Sequence, residues 1–248
     1  MTVTICICGA GTMGSGIAQV VAQSGFDTVL FDVNEKVLES SKTTILTNLQ
    51  YLTDKNKISS KENEEIFKRI RFITDIRECT GFVIIDAIIE KEDAKVSLFN
   101  ELAKYNNEEV IFATNTSSLS ISALQEKIIF PQRVVGMHFF NPAYIMKLVE
   151  VVKGRQTNEE VACTVFDLCR QMGKVPVMCK DSPGFIVNRV ARHYYLESLK
   201  IAEEGIASIE DIDSILEATG FKMGPFKLMD LIGMDINLAV TESMYRSF

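Results

Sequence analysis

Thr2-Val3-Thr4-Ile5-Cys6-Ile7-Cys8-Gly9-Ala10-Gly11-Thr12-Met13-Gly14 opens the chain, and its reading decides the fold. Thr2 to Cys8 is a β-branched and apolar run, as a buried strand requires. The next six residues are G-x-G-x-x-G. Ile17, Val20 and Val21 follow at helical spacing, Phe26 to Phe31 reads as a second strand, and Asp32 closes it. Each part has a physical task. Gly9 permits a tight turn, Gly11 lets a pyrophosphate approach the backbone, and Gly14 lets the helix lie close to the strand. The helix N-terminus, formed by Thr12 and Met13 with Gly14, favours the phosphate charge. Asp32 can accept the ribose hydroxyls of an adenosine. No arginine follows it closely, so NAD is expected rather than NADP.

Outward from this unit, Glu35 to Lys57 and Ser60 to Lys68 read as two helices, an excursion near 35–68 too long for a simple crossover. Its lysines, Lys42, Lys55 and Lys57, read from the pattern alone as a solvated face. Strands are expected at Arg71–Thr74, Phe82–Ile89 and Val110–Ala113, with a helix over Asp93–Tyr105. Glu90, Asn115 and Ser117 then fall beyond the carboxyl ends of strands, where open α/β sheets bind ligands. Asn115 to Ser118 offers more hydroxyl and amide groups than a helix cap needs.

Val134 to Phe140 is an apolar run carrying His138, one of only two histidines. Ile145 to Val152 is a second run, and Glu150 is its only acid. A hairpin with a diagonal register places Glu150 beside His138. The carboxylate would fix the ring's tautomer and favour its protonated form. A core histidine bonded to backbone is the alternative this stretch leaves open. A helix follows over Asn158–Met172 and a last strand over Val175–Cys179. At Asp181-Ser182-Pro183-Gly184 the strand signals end. Ser182 suits an N-cap and Pro183 a first helical position. Helices are expected from Phe185 to Glu204, from Ile209 to Thr219 and within Phe226–Ser243. The other histidine, His193, reads as a surface residue. The fold class is therefore α/β, doubly wound with a mostly parallel sheet over 1–181, followed by an all-helical domain over 182–248.

Composition narrows the function. The chain has 248 residues, 47% of them hydrophobic, and a net charge of −7. That balance argues against nucleic acid or an anionic membrane as partner. Six cysteines without C-x-x-C spacing indicate neither a zinc site nor a redox motif, and free thiols suit a reducing cytoplasm. Cys6 and Cys8 share one side of their strand. A strand beginning at Thr2 leaves no room for a signal peptide.

Five blocks occur in order: Gly-Ala-Gly-Thr-Met-Gly-Ser-Gly-Ile-Ala (9–18), Asn-Thr-Ser-Ser-Leu (115–119), Gly-Met-His-Phe-Phe-Asn-Pro (136–142), Asp-Ser-Pro-Gly-Phe-Ile-Val-Asn-Arg (181–189) and Gly-Pro-Phe-Lys-Leu-Met-Asp-Leu-Ile-Gly (224–233). Together they resemble the L-3-hydroxyacyl-CoA dehydrogenase family, close to its bacterial 3-hydroxybutyryl-CoA members. The resemblance implies an NAD-binding Rossmann domain and a helical domain through which two copies pair as a homodimer. It implies catalytic roles for His138, Glu150, Ser117 and Asn188. It places cofactor contacts on Asp32, Glu90, Lys95 and Asn115 beside the glycine turn, and it makes Lys55 a contact for coenzyme A. Where the family has a serine contact to coenzyme A, this chain has Asn48. Family members continue beyond Phe248, so the helical domain is expected to be cut short. Two rivals remain: a dehydrogenase for free hydroxy acids, and a non-enzymatic crystallin-like or NAD-sensing protein.

Overall fold

A computed structural model describes residues 3–247, and it divides into two units, 1–181 and 182–248. In the first unit, β1 (Thr4–Cys8) leads through Gly9 into α1 (Thr12–Gln23), and β2 (Asp27–Phe31) returns beside β1. The helical excursion is α2 (Glu35–Asp54) and α3 (Ser60–Lys68). Asn34 caps α2 through the Lys36 amide. Ser59 and Glu62 form a reciprocal capping box on α3, which fixes its start by satisfying two backbone donors.

β3 (Ile70–Ile73), β4 (Val83–Asp86), α4 (Glu92–Leu102), β5 (Ile111–Thr114) and α5 (Ile121–Gln125) follow, then β6 (Val134–Phe139), β7 (Leu148–Lys153), α6 (Glu159–Gln171) and β8 (Val175–Lys180). The eight strands lie in the order β3-β2-β1-β4-β5-β6-β7-β8, and among them only β6 and β7 run antiparallel. The order reverses between β1 and β4, the switch point where such sheets bind ligands. Ile5, Ile7, Val83, Ile85, Ile111 and Ala113 form the core on one face of these central strands. β4 is buried throughout, as a strand covered on both faces must be.

Gly14 is there for closeness: a Cβ on it would sit 1.7 Å from the Gly9 carbonyl oxygen. Gly9 has φ +101°, and a Cβ on it would meet the Ala87 carbonyl oxygen at 2.6 Å. Both distances are far inside van der Waals contact, so a side chain at Gly14 would force α1 off the turn, and one at Gly9 would force the turn off Ala87.

The second unit holds α7 (Val187–Glu203), α8 (Ile209–Ala218), α9 (Pro225–Ile232) and α10 (Met234–Tyr245). Arg192 is buried in α7, and its Nη1 donates to the Asn237 side-chain oxygen at 2.7 Å and to the Thr241 hydroxyl at 2.6 Å. Asp213 of α8 accepts the amides of Phe226 and Lys227, so one buried carboxylate caps the start of α9. Ile206, Ile215, Leu231, Leu238 and Tyr245 are exposed on this unit.

Three expectations need correction. The first helix of this unit starts at Val187, not at Phe185, and Pro183 is not its first position, because Gly184 and Phe185 take left-handed φ values of 72° and 47°. Asn188 therefore lies in its first turn. β4 stops at Asp86 rather than Ile89. Its pairing with β1 and β5 ends there, and Ile89 is 61% exposed. β7 begins at Leu148, because Ile145 and Met146 belong to the connecting loop and face solvent.

Candidate active site

The turn after β1 presents a cradle for a dinucleotide. A Cβ built on Gly11 would meet nothing within 4 Å, so the backbone there is open to close approach. Gly11 is also the N-cap of α1 and has no side chain to occupy the first helical amides. Thr12, Met13 and Gly14 form the first turn above it. The dipole of a twelve-residue helix and its unpaired donors suit a phosphate at that end.

Asp32, one residue past β2, is held in place by two amides. Its Oδ2 accepts from Ala10 and its Oδ1 from Asn34, each at 2.9 Å. Each carboxylate oxygen keeps acceptor capacity for a ribose hydroxyl. A cleft of about 660 Å³ opens beside it, lined by Gly9, Asp32, Val33, Ile76, Ile88 and Leu98 among others. Ile76, Ile88 and Leu98 were not legible as cleft residues, since apolar side chains at those positions read equally well as core. The geometry fits the adenosine half of NAD. Asp32→Ala is expected to weaken NAD binding by roughly 10–100-fold, the worth of hydrogen bonds to a charged group. NADP should lose much less, because the carboxylate repels its 2′-phosphate. Fluorescence titration of both reduced cofactors measures the gap, and an unchanged gap would remove Asp32 from the ribose.

Past β4 lies a buried ion pair. Lys95 of α4 is 1% exposed, and its ammonium sits 2.6 Å from Asp86 Oδ1 and 3.4 Å from Glu90 Oε2. Lys95 thus bridges the acid that ends β4 and the acid that holds the next loop. Burial pushes the Asp86 carboxyl above its ordinary value, and Lys95 opposes the rise. For Glu90, burial acts upward too, but Lys95, the Thr116 hydroxyl and the Ser117 amide together hold its carboxyl below the usual carboxylate range.

Glu90 Oε1 organises the 116–118 loop. It accepts the Thr116 hydroxyl at 2.5 Å, the Ser117 amide at 2.9 Å and the Ser118 amide at 3.1 Å. The Asn115 amide donates to the Asp86 carbonyl, while its side-chain oxygen accepts the Phe139 amide at 2.8 Å. Asn115 therefore ties the end of β5 to the residue that follows His138. Asp86 was missed in the sequence. The available signal was a lone acid in an apolar strand, nine residues before Lys95.

His138 and Glu150 meet across β6 and β7. They are direct cross-strand partners, so the expected diagonal register is replaced by a straight one. His138 Nδ1 lies 2.7 Å from Glu150 Oε2, with the residues 6% and 1% exposed. A carboxylate only accepts, so the ring carries its hydrogen on Nδ1. Phe140 lies against the ring, centroid to centroid 4.6 Å.

Lys55 is the exposed residue that ends α2, with its ammonium 5.7 Å from the Tyr51 ring. Lys42 pairs with Glu39 and lies over Phe72 instead. Asn48 donates to the Gln19 side chain at 3.1 Å. Asn188 belongs to the helical unit, where its carbonyl accepts from Arg192. His193 is exposed, as expected.

A dinucleotide cradle and a buried histidine–carboxylate pair on one sheet define a nicotinamide-dependent oxidoreductase of the doubly wound class. Comparison with known proteins specifies it further. Residues 4–182 match the NAD-binding domain of 3-hydroxyacyl-CoA dehydrogenase, and 184–248 match the C-terminal domain of the same family. The chain is 39% identical to a probable 3-hydroxybutyryl-CoA dehydrogenase of Deinococcus radiodurans, across 97% of its own length and 87% of that protein. It is 42% identical to the 3-hydroxyadipyl-CoA dehydrogenase of Escherichia coli across 99% of its own length, but spans only 52% of that relative. The crystal structure of an (S)-3-hydroxybutyryl-CoA dehydrogenase from Ralstonia eutropha superposes with a TM-score of 0.96 at 36% identity, covering 100% of this chain and 88% of that one. The chain belongs to the 3-hydroxyacyl-CoA dehydrogenase family.

Proposed function

We propose that the protein oxidises (S)-3-hydroxyacyl-CoA to 3-oxoacyl-CoA with NAD, reversibly, and that its substrate is short, as in 3-hydroxybutyryl-CoA. The observation that carries this reading is the 2.7 Å contact between His138 and Glu150. NAD supplies the hydride acceptor. His138 Nε2 takes the proton of the 3-hydroxyl, and Glu150 stabilises the imidazolium so formed. In the reverse direction the same nitrogen returns the proton. Ser117 orients the substrate oxygen and offsets its developing charge. Its loop is already fixed by Glu90, so little reorganisation is needed. Asn188 is assigned the same task on its motif match alone. Glu90 and Asn115 hold the nicotinamide side, with Lys95 acting behind Glu90.

Oxidation of NADH by acetoacetyl-CoA, compared with free acetoacetate, tests the reading. Turnover with the thioester alone is expected. Equal turnover with the free acid would favour a hydroxy-acid dehydrogenase, and none with either would favour a non-enzymatic role. The assembled proton-transfer pair speaks against that last role.

Coenzyme A is placed along α2, with Lys55 meeting its phosphates. Lys55→Glu is expected to raise the KM for acetoacetyl-CoA by roughly 3–10-fold, as reversal of an exposed charge does, with the KM for NADH unchanged. Added salt should shrink the difference. Equal KM values in mutant and wild type would make Lys55 a solvated side chain.

A homodimer through the helical unit suits its exposed Ile206, Leu231 and Leu238. A cytoplasmic setting suits the free cysteines. No described helix is long and apolar enough to cross a membrane.

A further inference from the structure

β1 sends alternate side chains to opposite faces of the sheet. Ile5 and Ile7 enter the main apolar core, and Cys6 and Cys8 share the other face. Cys79 comes from the short connection between a 3-10 turn (Ile76–Glu78) and β4. The three sulfurs lie within 4.8 Å of one another, and all three residues are 0% exposed. Nothing in the proposed dehydrogenase chemistry uses them.

The cluster is held rigidly. Cys6 and Cys8 are fixed by pairing of β1 with both β2 and β4. Asn106 donates to the Cys79 carbonyl at 2.9 Å, and the Cys79 amide donates to Ile76. Cys79 is nonetheless one residue from solvent on either side, since Glu78 and Thr80 are exposed.

We propose that Cys6, Cys8 and Cys79 form a three-thiolate site for a soft monovalent metal ion of the Cu(I) class. With metal–sulfur bonds of about 2.3 Å, three sulfurs in a trigonal plane stand about 4 Å apart. The observed spacing needs only a small inward movement to reach that. The cluster has three members among the described residues, which leaves tetrahedral zinc one ligand short. Thiolates favour the soft Cu(I) ion. Each copper–sulfur bond that forms releases one thiol proton to water, and no electron changes hands.

The test uses the full chain, reduced and anaerobic, titrated with Cu(I) against bathocuproine disulfonate as competitor. One equivalent should be retained, with three sulfur neighbours by X-ray absorption. Cys79→Ser should lower the Cu(I) affinity by at least about 100-fold, more than an outer-shell partner is worth. Cys163→Ser, at an exposed cysteine outside the cluster, should change nothing. Circular dichroism establishes that each variant is folded. If Cys79→Ser does not fold, the wild-type sulfur count decides. No retained copper, fewer than three sulfurs, or unchanged binding in folded Cys79→Ser would overturn the site and leave three thiols serving as small core side chains.

Discussion

Replacement of His138 by alanine is expected to lower turnover in acetoacetyl-CoA reduction by about 10²–10⁴-fold, the worth of a positioned general acid or base. NADH affinity should stay near wild type, because neither His138 nor Glu150 is assigned to the dinucleotide. Glu150→Gln keeps the size and hydrogen bonding of the acid and deletes its charge. It should lose a large part of the same factor, because the ring then has no anion 2.7 Å from Nδ1 to stabilise its charged form. The double variant should lose little more than the worse single one, as groups acting as a unit do. His138→Ala also strands a carboxylate that is 1% exposed, so its fold must be checked separately. NADH titration beside single-turnover kinetics separates lost chemistry from lost structure. Wild-type turnover in Glu150→Gln would reduce the pair to a buried structural contact.

The second large effect concerns stability. Lys95→Met removes the cation that compensates Asp86, whose side chain is 0% exposed. Breaking a buried pair from one side costs about 3–5 kcal/mol, because the remaining charge stays buried. Urea denaturation of the first unit's sheet should show that loss. Asp86→Asn combined with Lys95→Met should recover most of it, since no charge is then left at position 86, and Glu90, which also loses Lys95, keeps its hydroxyl and amide donors from the 116–118 loop.

The pH dependence has a definite sign. The Asp86 carboxyl is raised by burial, so the folded state holds its proton more tightly than the unfolded chain does. Stability from this group is present at low pH and is lost as pH rises through the folded value. Without Lys95 the carboxyl rises further, so the deficit of Lys95→Met should be full at neutral pH and shrink on acidification. Glu90 acts oppositely. Its carboxyl is lowered, so its contribution is present above the unfolded value and is lost as pH falls through the folded one. A mutant deficit independent of pH would contradict the account of Asp86.

Asn115 shows why the site could be read only in part from the chain. Its place beyond a strand end marked it as a candidate ligand contact. Its bond to the Phe139 amide follows only from β5 lying beside β6. The His138–Glu150 pair behaves similarly. Two apolar runs, one carrying a histidine and the other a single acid, suggested a meeting. The choice between straight and diagonal contact belongs to the register, which flips with a shift of one residue. The starts of α7 and β7 were misplaced because left-handed residues and a solvent-facing loop interrupt patterns that looked continuous.

The glycine turn, Asp32 and the division near Asp181 were determined by the sequence itself, because each expresses a local constraint. Gly14 lies against the Gly9 carbonyl five residues before it, Asp32 closes an uninterrupted strand–glycine–helix–strand run, and strand periodicity stops near Asp181. The tertiary structure alone decided that Asp86 binds Lys95 and that Cys79 joins Cys6 and Cys8. Lys95 reaches Asp86 only because α4 lies against the end of β4, and Cys79 reaches Cys6 and Cys8 because β4, which it precedes, pairs with β1; no short-range pattern of residues encodes which element lies beside which.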